Sequence, residues 1–135
     1  MRKLTATACL ALLLVGCGRM QEEASYEGLT TSQWIEELSN EDVNTRRKAA
    51  IVLGELGLTE AEQTVPALAN ACGDADTLVK IYALQSLERL APKAKKAQNA
   101  VGRAMSDKHK VVLKQAMRTF KAIEMAKPSA LNGGA

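Results

Sequence analysis

The sequence predicts an all-α fold, a short α-solenoid of about three helical hairpins, and three observations predict it. The first is composition. Apolar residues make up 47% of the chain but aromatics only 3%, so alanine and leucine must supply the burial. That suits closely packed helices, because sheets draw on β-branched and aromatic side chains. The second is a long-period repeat. With Asp42, Asp76 and His109 as register marks, 34 and 33 residues apart, position +7 is Ala49, Ala83 and Ala116. Position +11 is Leu53, Leu87 and Phe120, and +14 is Leu56, Leu90 and Ile123. Position −4 is Leu38, Cys72 and Met105, and −8 is Trp34, Leu68 and Val101. The third is spacing. Positions +7, +11 and +14 share one face of a helix, and residues that start and stop helices stand between such runs.

The elements follow in order. The first hairpin is expected to pair residues 32–40 with 44–56. Thr31 or Ser32 can cap its start, and Gly57 reads as its C-terminal stop. The second is expected to pair 64–72 with 77–91. Pro66 fits a first helical turn, where a missing N–H costs nothing. Asp76 can cap the following helix, and Pro92 ends it. The third is expected to pair 94–106 with 108–127, where Pro128 stops the last helix. Residues 128–135 should be a frayed, disordered tail.

These residues carry a family resemblance. Asp42, Arg46, Ala49-Ala50, Leu53-Gly54 and Leu56-Gly57, followed by Val65-Pro66-Ala67-Leu68, Asp74-Ala75-Asp76, Val79-Lys80, Ala83 and Leu87, resemble HEAT repeats. The closest subtype is the short kind first described in phycobilisome lyases. The likeness runs over about residues 31–125. The third unit departs from it: His109 replaces the aspartate and Leu113 the basic residue, although Asp107 matches Asp74. Terminal repeats of a solenoid are often atypical. The resemblance implies a right-handed stack whose second helices line an inner, concave surface. It also implies that Asp42, Arg46, Asp76 and Lys80 tie neighbouring repeats together.

The N-terminus is organised differently. Arg2 and Lys3 precede a mostly apolar stretch over residues 4–15. That is too short for a bilayer core, which needs about 20 residues, but it has the proportions of an export signal. It ends in Leu14-Val15-Gly16-Cys17, which resembles the bacterial lipobox. The resemblance implies that Cys17 receives a diacylglyceryl group and becomes the N-terminus after cleavage. The expected organisation is therefore a signal peptide over 1–16, a lipid anchor and flexible tether over 17–30, a repeat domain over 31–127 and a tail over 128–135. The expected location is a lipid-anchored position in the bacterial cell envelope. Gly18 follows the cysteine, with no aspartate to suggest inner-membrane retention, so an outer-membrane or surface destination is favoured.

Charge is polarised along the exported part. Residues 18–62 hold 10 acids and 4 bases; residues 63–135 hold 5 acids and 12 bases. Lys110, Lys114, Arg118 and Lys121 recur at helical spacing and share one face of the last expected helix. Two readings stay open for them: a solvated face that keeps the solenoid end soluble, or an anion- or partner-binding surface. Lys93, Lys95 and Lys96 cluster in the loop before.

Catalysis and cofactors are not expected. His109 is the one histidine, so neither a zinc site nor a histidine-based catalytic constellation can be assembled around it. Gly54 and Gly57 read as helix-end glycines, not a phosphate loop. Cys72 has no partner for a disulfide and reads as a small buried hydrophobe. The expected partners are the membrane, through the anchor, and another envelope protein. Nucleic acid and small-molecule substrates are not expected. The alternative is contact with anionic headgroups or an envelope polymer through the basic half.

Overall fold

A computed structural model of the protein describes residues 23–126. The expected signal peptide over residues 1–16, Cys17 and the expected tail over 128–135 lie outside the described residues. The first ordered element falls where a tether was expected. β1 (Ser25–Tyr26) and β2 (Leu29–Thr30) form an antiparallel pair, with Ser25 opposite Thr30 and Tyr26 opposite Leu29. Glu27 and Gly28 turn the chain with φ of 49° and 80°, both in the left-handed region that two-residue hairpins require. The Ala24 N–H donates to Glu60 (2.5 Å), and the Trp34 indole N–H donates to the Tyr26 carbonyl (3.0 Å). Lys48 pairs with Glu27 and lies 5.6 Å over the Trp34 ring. Two of these partners, Lys48 and Glu60, lie far along the chain, so the segment's polar, aperiodic composition gave no sign of them.

Helix α1 (Thr31–Glu37) is capped by Thr30, one residue before the expected cap, in a reciprocal capping box with Gln33. Its expected end at residue 40 is also corrected. Asn40 lies beyond the helix, where its side chain bonds Glu37 and the Asp42 N–H.

Helix α2 (Val43–Ala71) starts at Asp42, whose carboxylate accepts from the Asn44 and Thr45 N–H groups. Two helices parted by a loop after Gly57 were expected here. Instead the helix runs on to a kink at one non-helical residue, Glu60 (φ −120°, ψ 45°), and resumes. Gly57 is therefore not a stop. Both Gly54 and Gly57 are buried helix-interior residues where the next repeat approaches closely. A Cβ on Gly54 would lie 2.5 Å from Ser86 Oγ; one on Gly57 would run into Leu90 and lie 2.7 Å from Thr64 Oγ1. Since the second arm of α2 begins just after Glu60, Pro66 stands one turn deeper than expected.

Helix α3 (Thr77–Arg89) starts at Asp76, whose side chain accepts from the Val79 N–H (2.9 Å). It gives way to a turn through Pro92. One turn of 3-10 helix (Lys95–Ala97) leads into α4 (Gln98–Ala104), and α5 (Lys110–Met125) closes the described chain.

Three hairpins result: α1 with the first arm of α2, the second arm of α2 with α3, and α4 with α5. The second helices lie side by side. One apolar seam runs through them, with Ala49, Ala83 and Ala116 fully buried and Leu53, Leu56, Leu87, Leu90 and Ile123 beside them. Trp34, Leu68 and Val101 fill it from the first helices. The fold is an all-α, HEAT-like solenoid.

Candidate functional site

What ties the repeats together also decides which side chains are left for a partner. Arg46 Nε donates to Asp74 (3.0 Å), Arg47 Nη2 to Asp76 (2.8 Å) and Lys80 Nζ to Asp107 (2.6 Å). Each pair joins the second helix of one repeat to the loop of the next. The guanidinium of Arg47 holds the Asp76 carboxyl down to about 2, and Asp76 raises Arg47 in return. The Lys80 ammonium, and then the His109 N–H, lower Asp107. Arg46, Lys80 and Asp76 therefore each span two repeats.

Asp42 does not, and the expectation for it is corrected. Its carboxylate serves its own helix, bonding the Thr45 hydroxyl and the Thr45 and Asn44 N–H groups, and those bonds lower its pKa. The physical reason is position. Asp76 is held by an arginine of the preceding repeat, and among the described residues no repeat precedes that of Asp42. Sequence reasoning missed Asp74 and Arg47 as partners; the signal for Asp74 was its place two residues ahead of the register mark, in the doublet Asp74-Ala75-Asp76.

A second ladder lies inside the stack. Ser86 and Thr119, both at register +10, donate hydroxyls to the carbonyls of Ala50 (2.7 Å) and Leu84 (3.0 Å), both at +8 of the preceding repeat. These buried hydroxyls fix the axial register of neighbouring second helices, and nothing in the apolar pattern pointed to them.

The outward side of the second helices is open. Ile51 and Leu58 on α2, Leu78 on α3, and Val111 and Met125 on α5 are exposed large apolar residues. Glu55 and Arg89, both at +13, pair across this face. All four residues of the basic stripe are exposed on α5. Arg118 reaches Glu88 (3.2 Å), which also accepts from Gln115 (2.6 Å). Lys110, Lys114 and Lys121 pair with no acid among the described residues. The loop lysines are partly engaged: Lys96 pairs with Glu62 (2.6 Å), and Lys93 donates to the Leu58 carbonyl (2.5 Å).

Two recesses also mark the described surface. One, about 720 Å³, is bordered by Glu23, Ser32, Glu60, Glu62 and Lys93. Two of its three carboxylates hold the backbone: Glu23 accepts from Ser32 N–H and Oγ, and Glu60 from the Ala24 N–H, while Glu62 pairs with Lys96. The other, about 260 Å³, lies beside Cys72, Lys80 and Asp107. Burial pushes the Cys72 thiol up to about 12, and its Sγ faces the Leu68 carbonyl at 3.3 Å. Such a thiol is a poor nucleophile. Trp34 is buried in the core, while Tyr26 is exposed with its ring edge-on to Trp34 at 6.4 Å.

A family model described as HEAT repeats matches residues 31–119. No curated protein and no solved structure matches the chain.

Proposed function

Because the chain belongs to the HEAT-repeat family, we propose that it is a membrane-tethered protein-interaction module of the bacterial cell envelope. It presents the outward side of its second helices to another envelope protein. Solenoids of this kind work by offering an extended surface built from equivalent positions of successive repeats. The observation that carries the reading is such a surface. Ile51, Leu78 and Val111 place an exposed apolar side chain on each of the three second helices, and Leu58 and Met125 extend the set. Exposed apolar side chains gathered on one face mark interaction sites more often than single scattered ones. Membrane tethering is supported by Leu14-Val15-Gly16-Cys17. Two or three acyl chains on Cys17 anchor stably where one would not.

Two experiments test the halves separately. Cys17→Ser should move the chain from the membrane fraction to the soluble one, and mass spectrometry of the wild-type N-terminus should find an acylated cysteine. A free, unacylated Cys17 ends the membrane half. A photocrosslinker at Leu78 in the native membrane should capture one defined envelope protein, with the yield cut by Ile51→Ser or Val111→Ser. Equal yields end the surface half. The second reading is anionic headgroups or an envelope polymer on the basic C-terminal half, favoured by Lys110, Lys114 and Lys121, which pair with no acid among the described residues. It predicts salt-sensitive binding of the unlipidated chain to anionic vesicles, which the first reading does not require.

A further inference from the structure

The two ends of the solenoid are finished differently. At the start, the hairpin of β1 and β2 folds over the first repeat, with Tyr26 against Trp34 and Glu27 on Lys48. At the other end α5 carries the faces that earlier repeats bury beneath their successor. Position +8 shows it most plainly. Ala50 and Leu84 are 0% exposed, while Met117 is 52% exposed. Position +11 agrees: Leu53 and Leu87 are fully buried, but Phe120 only partly.

The rim of this end has a charge pattern that the internal junctions interpret. At +5, Arg47 bonds Asp76 of the next repeat; the +5 residue of the last repeat is Lys114, with no acid in reach among the described residues. At +12, Glu88 receives Arg118 and Gln115 of the next repeat; the +12 residue of the last repeat is Lys121, opposite in sign. Each pairing occurs at one internal junction, the other having Ile81 at +5 and Gly54 at +12; by that one example each position calls for a carboxylate on whatever follows. At +8, the carbonyls of Ala50 and Leu84 each accept a hydroxyl from the next repeat, and Met117 occupies that place here.

We propose that this end of the solenoid is a docking face for an acidic helical pair of another protein, which stacks on α5 as a fourth repeat would. Its apolar side chains cover Met117 and the half-buried Phe120 and Leu113, and its carboxylates meet Lys114 and Lys121. A second copy fits poorly in either direction. End against end, Lys110, Lys114 and Lys121 would face their own images, and like charges juxtaposed across an interface are costly. Head to tail, the other copy's hairpin occupies the face that would have to be offered. The chain's own residues 127–135 contain a lysine and no acidic side chain.

The test is a photocrosslinking amino acid at position 117 of the full chain in its own cells, with position 99, exposed on α4, as control. The expected adduct maps to a helical segment of a different protein carrying several Asp or Glu. Lys114→Glu with Lys121→Glu lowers its yield about tenfold, as the loss and reversal of two rim pairs implies, while circular dichroism shows an unchanged fold. The proposal is overturned by adducts only to a second copy or to residues 127–135. It is equally overturned by an adduct to a segment without acids, by a yield indifferent to the charge reversals, or by no adduct at position 117 above the position 99 control, whether or not the chain binds anionic vesicles. The adduct is scored in whichever fraction holds the chain, so a failed lipid anchor or a silent Leu78 position leaves this result readable.

Discussion

Gly54→Ala separates what helix propensity predicts from what the stack dictates. In an isolated helix interior, replacing glycine with alanine gains about 1 kcal/mol. Here the new methyl would lie 2.5 Å from Ser86 Oγ, 2.8 Å from its Cβ and 3.2 Å from its Cα. The last of these belongs to the backbone of α3, so a rotamer change alone does not clear the site. Overpacking of this kind costs about 1–3 kcal/mol. Displacing Ser86 also breaks its bond to the Ala50 carbonyl (2.7 Å), a further loss of about 1 kcal/mol. The net is a destabilisation of about 1–3 kcal/mol once the propensity gain is subtracted. At 4–8 °C per kcal/mol for a domain near 100 residues, Tm should fall by about 10 °C. Thermal melts of the full chain followed by far-UV circular dichroism measure it. Ser86→Gly supplies the internal control, because it removes both side-chain atoms that clash. In that background Gly54→Ala should cost about 1–2 kcal/mol less, the coupling expected of residues in contact. A Tm equal to or above wild type, or the same cost in both backgrounds, would refute the close-approach reasoning.

Other outcomes follow from the same geometry. Asp76→Asn keeps a capping side chain but loses the charge on Arg47, so stability at neutral pH should drop by up to about 1 kcal/mol. The folded carboxyl sits at about 2, below the unfolded value of about 3.9. The wild-type advantage is therefore present above that unfolded value and fades as pH falls toward the folded one; urea midpoints across acid pH check this. Thr119→Val removes the buried donor to the Leu84 carbonyl at nearly constant shape and should cost about 1 kcal/mol, with Thr119→Ser recovering most of it in denaturant titrations. In a Cys9→Ser, Cys17→Ser chain, Cys72 should resist alkylation near neutral pH until denaturant is added, because its thiol is buried and held protonated; rapid native labelling would contradict that. Deleting residues 24–29 should expose Trp34, the chain's one tryptophan, and shift its fluorescence to longer wavelength.

The sequence by itself determined the repeat architecture. Its signal is local and redundant: an apolar set at helical spacing recurs three times, and every Ala49-, Leu56- and Trp34-type position is buried in the structure. Asp76 as a cap was equally legible, because capping depends on neighbours two and three residues away. Residues whose roles depend on the adjoining repeat were not legible in this way. Gly57 carries the same letter as a helix stop, and only the nearness of Leu90 and Thr64 makes it a packing residue inside a continuing helix. Asp42 and Asp76 occupy the same register position, yet Asp76 bonds a neighbouring repeat and Asp42, with no repeat before it among the described residues, bonds only its own helix. Residues 24–30 look like a polar linker, and nearby Trp34 with the more distant Lys48 and Glu60 turn them into an end cap. The basic stripe on α5 likewise reads as one face along the sequence. In the fold Arg118 is spent on Glu88, while Lys114 and Lys121 pair with no acid among the described residues. Helical periodicity decides which residues point inward. Only the stacking of one repeat on the next decides which outward residues are already taken.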